Sequence, residues 1–82
     1  MSERKTYQPV PLAEQVEAIE READLAHERL PQLARPTNHG RPPKLHWGTV
    51  HARLAQFESL RRTLRILKQL EDEGRLPPEL QL

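Results

Sequence analysis

Apolar residues in the first half of the chain recur at spacings that alternate between four and three residues. On an α-helix this spacing forms one narrow apolar stripe, the pattern typical of coiled-coil packing. The stripe comprises Leu12, Val16, Ile19, Ala23, Ala26, Leu30 and Leu33. It predicts a helix from about residue 11 to residue 30, with Pro11 in the first turn, where its missing N–H group is not needed. Pro31 is expected to end or kink this helix, because its ring clashes with the carbonyl group four residues earlier, and Leu33 then belongs to a short continuation.

Helical periodicity returns at Trp47 and predicts a second helix over residues 47–73. Thr49 is a candidate N-cap, and Gly74 suits the position just after the last turn, where glycine adopts a left-handed conformation at little cost. Two prolines then prevent any continuation of the helix. The expected fold class is all-α, a two-helix antiparallel hairpin with coiled-coil-like packing.

The remaining segments lack helical periodicity. The connector, residues 35–46, contains three prolines and exceeds the usual helix-to-helix link of roughly 2 to 8 residues, so it is expected to be functional or mobile. Residues 1–10 are predicted to be a flexible N-terminal arm. The hairpin domain then spans residues 11–76, and residues 77–82 form a short tail that can pack back or dock on a neighbour.

The second helix carries two apolar stripes that point in different directions. The first comprises Trp47, Val50, Leu54 and Phe57. The second, which includes Leu64, is rotated from it by about a third of a turn. A hairpin that aligns Ala23 with Phe57 leaves part of the second stripe without a partner, which predicts a twofold dimer with a four-helix arrangement. This predicted dimer surface consists of Leu60, Ile66, Leu67 and Leu70.

Composition limits the size of the core. The chain has 82 residues, is 35% hydrophobic, and has one Trp, one Tyr and one Phe, so it forms one domain with a thin core. Domains of this kind without disulfides or metals are often helped by self-association, which favours a homo-oligomer. Cysteine is absent, and no apolar run approaches the roughly 20 residues of a membrane-spanning helix. These features lead us to expect a soluble, cytoplasmic protein that does not enter a membrane.

Charge is divided unevenly along the chain although the net charge is only +1. Residues 10–30 are mostly acidic, and residues 31–68 are mostly basic with Glu58 as their single acid. The two halves are expected to attract each other within the hairpin. In that arrangement Arg61, Arg65 and Lys68 lie near an acidic side of the first helix that contains Glu14, Glu17 and Glu20.

The string His39-Gly40-Arg41-Pro42-Pro43-Lys44 resembles part of an AT-hook, a basic peptide that lies in the minor groove of AT-rich DNA. In this sequence His39 stands where the motif has its first arginine. The resemblance implies a DNA contact by the connector, which a basic strip on the second helix would extend. The residues of this nucleic-acid alternative are Arg41, Lys44, Arg61, Arg62, Arg65 and Lys68.

Residues for catalysis or cofactor binding do not form a recognisable motif. The histidines near the connector, His39, His46 and His51, lack supporting carboxylates, and no hydroxyl group lies in a nucleophile motif, so we expect no enzyme activity, no cofactor and no metal. Trp47 is expected either to cap the open end of the core or to anchor a protein partner. The partner-binding patch in the second case is Arg41, Lys44, Trp47 and Arg53.

These features favour a small non-enzymatic accessory, adaptor or inhibitor protein that acts through protein–protein interaction and self-association. The alternative is a small DNA-binding regulator that uses the basic connector and the basic strip. The identity of the protein partner does not follow from the sequence.

Overall fold

The structure is a computed structural model that describes residues 7–36 and 40–81. Helix α1 covers Leu12–Ala34 and helix α2 covers Trp47–Asp72, and a single 3-10 turn follows at Pro78–Leu80. The two long helices pack against each other, and the described residues contain no strand. The all-α helical hairpin predicted from the heptad pattern is confirmed. Most of the predicted N-terminal arm, residues 1–6, lies outside the described residues.

Helix α1 begins one residue later than predicted. Pro11 is its N-cap, and the Pro11 carbonyl oxygen accepts a hydrogen bond from the backbone N–H of Gln15 at 3.1 Å. The Gln15 side chain also donates to the carbonyl oxygen of Val10 at 2.7 Å. These two bonds fix the entry of the chain into the helix without a capping hydroxyl or carboxylate.

The helix then runs through Pro31 and ends at Ala34, four residues beyond the predicted end at residue 30. Pro31 removes one backbone hydrogen bond, but Ala34, only 3% exposed, is buried in the last turn and Leu33 is half-buried. The Leu33 carbonyl oxygen also accepts a bond from the backbone N–H of Leu45 in the connector, at 3.0 Å. Burial of Leu33 and Ala34 therefore offsets the hydrogen bond that is lost at Pro31.

Both ends of helix α2 are defined by backbone geometry. His46 is the N-cap residue and makes no side-chain cap bond, and Thr49 lies inside the helix, so the predicted cap at Thr49 is wrong. At the other end Gly74 has a φ of +70°, which confirms its predicted role. The backbone N–H of Gly74 donates to the Glu71 carbonyl oxygen at 3.0 Å, and the backbone N–H of Arg75 donates to the Leu70 carbonyl oxygen at 2.8 Å. This pair of bonds is the Schellman motif, which requires a left-handed residue at that position.

The core is narrow and lies along the line where the helices meet. Each residue of the predicted α1 stripe is buried or half-buried, so that prediction is confirmed. Ala23 on α1 and Val50 on α2 are fully buried at 0% exposure, and the small alanine side chain allows the two backbones to approach closely. Leu12 and Leu76 are buried at the opposite end, where α1 begins and α2 ends. The tail after α2 turns back at Leu76, whose carbonyl oxygen accepts a bond from the Gln81 side chain at 2.9 Å.

The inward face of α2 follows a single stripe, unlike the two stripes expected from the sequence. Its buried and half-buried residues at alternating four- and three-residue spacing are Val50, Leu54, Phe57, Arg61, Leu64 and Lys68. The Arg61 side chain is only 19% exposed, so a guanidinium group occupies a position where a coiled coil normally has a leucine. Leu67 and Leu70 are half-buried beside this stripe, whereas Leu60 and Ile66 are 53% and 48% exposed.

Cross-helix ion pairs confirm that the helices are antiparallel, since residues late in α1 contact residues early in α2. His27 contacts Glu58, and Glu20 contacts Arg65. In the register that aligns Ala23 with Phe57, His27 lies opposite residue 53 and Glu20 opposite residue 60, so these two pairs reach five residues further along α2. The contact between Glu20 and Arg61 is offset from that register by only one residue, so the ion pairs do not define a different register.

Candidate interaction surface

One side of the hairpin is covered by a network of charged side chains that bridge the two helices, and we call it the ion-paired flank. Its members are Glu20, Asp24 and His27 on α1, and Glu58, Arg61 and Arg65 on α2. Arg61 Nη2 lies 2.5 Å from Glu58 Oε1, and Arg61 Nη1 lies 3.5 Å from Glu20 and 3.6 Å from Asp24. His27 Nε2 lies 2.8 Å from Glu58 Oε1.

The same contacts shift the pKa of Glu58 and of Arg61. The hydrogen bonds that Arg61 and His27 make with Glu58 hold the pKa of that carboxyl group below its ordinary value. The bond to Glu58 in turn raises the pKa of Arg61, and the nearby Glu20 and Asp24 act in the same direction. Arg61 lies on the line of contact between the helices, and three carboxylates of its own chain balance its charge.

Three of the four cations in the basic strip of α2 form ion pairs with carboxylates of the same chain. The strip consists of Arg61, Arg62, Arg65 and Lys68. Arg65 donates to Glu20 of α1, as the sequence predicted. Lys68 instead pairs with Asp72 and Glu71 of its own helix, and the bond to Asp72 raises the pKa of Lys68. The predicted pairing of Lys68 with α1 is therefore wrong, and the described residues contain no ion pair of Glu14 or Glu17 with α2. Arg62 is exposed.

The opposite side of the hairpin has an apolar groove between the two helices, with a volume of about 340 Å³. Its lining residues are Glu22, Leu25, Ala26, Arg29, Leu30, Arg53 and Phe57. The apolar side chains form its floor and walls, and its three charged residues make no ion pair within the described part of the chain.

A second, shallow depression of about 480 Å³ lies on the outer face of α2. It is lined by Ala55, Gln56, Ser59, Leu60 and Thr63. Because residues three and four apart are neighbours on a helix, Leu60 lies one turn beyond Phe57 and joins the two surfaces. We call the groove and this surface together the open flank.

The residues of the predicted dimer surface divide between the two flanks. Leu60 belongs to the open flank, whereas Ile66 lines a shallow depression on the ion-paired side, together with Arg62 and Gln69. Leu67 and Leu70 are half-buried next to the seam. Helical spacing grouped these four residues because it ignores which part of the arc the first helix already covers.

The predicted partner-binding patch is likewise divided. Trp47 is 47% exposed at the start of α2, where its ring centroid lies 5.8 Å from that of His51, so it is not buried as a cap on the core. Arg53, on the same helix, lines the groove of the open flank instead. Arg41 and Lys44 are exposed in the connector, and His39 of the resembling string lies outside the described residues.

Within residues 7–36 and 40–81, no three His, Cys, Asp or Glu side chains are arranged to hold a metal ion. No helix there has the length and apolarity needed to cross a membrane. The open flank is the feature that sequence reasoning missed, and its signal was present in Leu25, an apolar residue off the heptad stripe between Glu22 and Arg29.

Comparisons with known proteins give no relative for this chain. No protein-family model matches it, and neither the curated proteins nor the solved structures contain a significant match.

Proposed function

We propose that this protein is a small non-enzymatic accessory, adaptor or inhibitor that acts through protein–protein contacts and self-association. The observation that carries the proposal is the open flank, an apolar groove and adjoining surface on a hairpin whose other flank is closed by ion pairs. Apolar surface that is contiguous and bordered by charged residues is characteristic of sites that bind another protein. Arginine and aromatic side chains, here Arg53 and Phe57, are the residue types that contribute most at such sites.

Charge distribution favours a protein partner over a nucleic acid. Binding to a phosphate backbone depends on cations that can exchange their counterions for phosphates. Arg61, Arg65 and Lys68 already face carboxylates of the same chain, so a duplex would have to compete with those contacts. The DNA-binding alternative then depends on Lys44, Arg62 and the connector string that resembles an AT-hook.

The proposal can be tested by site-specific photo-crosslinking in a lysate of the native host. One variant carries p-benzoylphenylalanine in place of Leu60 on the open flank, and a matched variant carries it in place of Ile66, which is similarly exposed on the other side. We expect protein adducts from position 60, few from position 66, and no loss of adducts after nuclease treatment.

Two results would contradict the proposal. Equal or absent adducts from the two positions would remove the open flank as an interaction surface. Adducts that disappear after nuclease treatment, together with duplex binding that weakens steeply as salt is raised, would favour the DNA-binding alternative.

A further inference from the structure

We propose that the open flank binds a second copy of this chain, with α1 packed antiparallel on α1 of the second copy. The twofold axis crosses α1 between Leu25 and Ala26. This inference rests on the proposed function and adds to it the identity of one partner and the alignment of the interface.

Charge self-complementarity supports this alignment. Glu22 lies three residues before Leu25, and Arg29 lies three residues after Ala26, so the two charges are symmetrically placed about the axis. They are about 10 Å apart along the helix, too far to pair within one chain. In the antiparallel arrangement Glu22 faces Arg29 of the second copy and Arg29 faces Glu22 of the second copy. Both charges of the groove that lie on α1 then gain a partner at once.

Side-chain size is complementary about the same axis. On α1 the arrangement places Ala18 opposite Leu33 of the second copy, a small residue against a large one. Since Ala26 and Phe57 line the same groove, the axis crosses α2 beside Phe57, and the exposed Leu60 lies one turn further along on the same side of α2. Alternation of large and small residues across an interface is the arrangement that fills space without voids.

The ion-paired flank offers no equivalent arrangement. Its central cation, Arg61, already has carboxylate partners from both helices, so a second copy would break existing pairs rather than supply missing ones. A twofold contact needs one surface that complements itself, and only the open flank has unpaired charges of both signs around apolar residues in the described part of the chain.

The test reverses each of the two charges in turn and measures dimerisation of the full chain by sedimentation equilibrium. The variants Glu22→Arg and Arg29→Glu each place like charges across the interface, and each is expected to weaken dimerisation by about tenfold or more. An equimolar mixture of the two variants places opposite charges at both contacts. We expect this mixture to dimerise about as well as the unmodified chain, with circular dichroism showing that every variant keeps its helix content.

A matched control is available on the far side of α1. Arg21 and Glu28 are exposed, carry opposite charges, and have the same seven-residue separation as Glu22 and Arg29. Arg21→Glu and Glu28→Arg are expected to leave the dimerisation constant within about threefold of the unmodified value.

Three results would overturn the inference. They are a monomeric unmodified chain at concentrations on the order of 100 μM, equal weakening by the control variants, and a mixture that fails to recover dimerisation. A monomeric chain would also remove self-association from the proposed function, but none of the three results would overturn its contacts with other proteins if position 60 still crosslinks to them in the lysate. The loss of those crosslinks would overturn the proposed function itself.

Discussion

On the ion-paired flank, Arg61 is surrounded by Glu20, Asp24 and Glu58, whereas on the open flank Glu22 and Arg29 border a groove without an ion pair in the described residues. Both flanks are formed by the same two helices and contain charges of both signs. They differ in where the opposite charges lie. On the first flank Arg61 lies within 3.6 Å of carboxylates from both helices, and on the second Glu22 and Arg29 lie seven residues apart on one helix.

This difference shows what a two-helix hairpin can satisfy by itself. Two helices share one line of contact, so only side chains next to that line can find partners within the chain. Glu22 and Arg29, seven residues apart on one helix, are too far apart to pair with each other. The open flank therefore has the exposed apolar surface on which our proposal rests, whereas the charges of the ion-paired flank are already paired within the chain.

The largest expected effect comes from removing the wall of the open groove. Phe57→Ala should lower the free energy of unfolding by about 2 to 3 kcal/mol, less than for a fully buried aromatic residue because Phe57 is half-buried. Urea denaturation followed by circular dichroism measures this. Trp47→Ala is the matched control, and we expect it to cost less than about 1 kcal/mol because Trp47 lies outside the seam. Equal losses for both substitutions would show that Phe57 has no special place in the packing.

A somewhat smaller effect is expected at the fully buried Ala23. Ala23→Leu should destabilise the hairpin by about 1 to 3 kcal/mol, because the larger side chain must push the two backbones apart. Ala13→Leu, at an exposed position of the same helix, should be nearly neutral. Thermal unfolding of the two variants compares them directly. A neutral Ala23→Leu would mean that the seam is more open than the structure indicates.

The ion-paired flank predicts a pH dependence of modest size, smaller than either packing effect. The pKa of Glu58 is lower in the folded chain than its ordinary value of 4.5, so its contribution to stability is complete above that pH. It is lost as the pH falls from 4.5 through the lower folded value. Glu58→Gln should therefore lower stability at neutral pH and reduce its decline in acid. Glu17→Gln, an exposed control, should leave the unmodified pH profile in place.

The smallest effect is expected at exposed cations that lie away from the seam. Lys44→Ala and Arg62→Ala should each change the free energy of unfolding by less than about 0.5 kcal/mol. If they also leave duplex DNA binding unchanged in a mobility-shift titration, the basic residues of the connector and α2 have no shared role with nucleic acid. A steep loss of duplex affinity in both variants would instead show that the connector and α2 share a role in nucleic-acid binding.

The sequence predicted the features that local chemistry controls. The heptad stripe identified the inward face of α1, and Gly74 identified the end of α2, because each depends on residues that are close in the chain. The sequence was less informative where the surroundings of a residue depend on the other helix. Helical spacing places Arg61 on the continuation of the first α2 stripe, but it could not show that carboxylates of both helices would surround this largely buried cation. For the same reason it grouped Leu60 with Ile66, although α1 makes the surroundings of these two residues different.

The central claim is that the open flank, and not the ion-paired flank, is where this protein meets another protein chain. Sedimentation equilibrium of Leu60→Glu and Ile66→Glu tests it most directly, because the two residues are 53% and 48% exposed and lie on different sides of α2. We expect Leu60→Glu to weaken self-association by about tenfold or more, and Ile66→Glu to leave it within about threefold of the unmodified chain. Weakening by Ile66→Glu alone, or equal behaviour of the two variants, would contradict the claim.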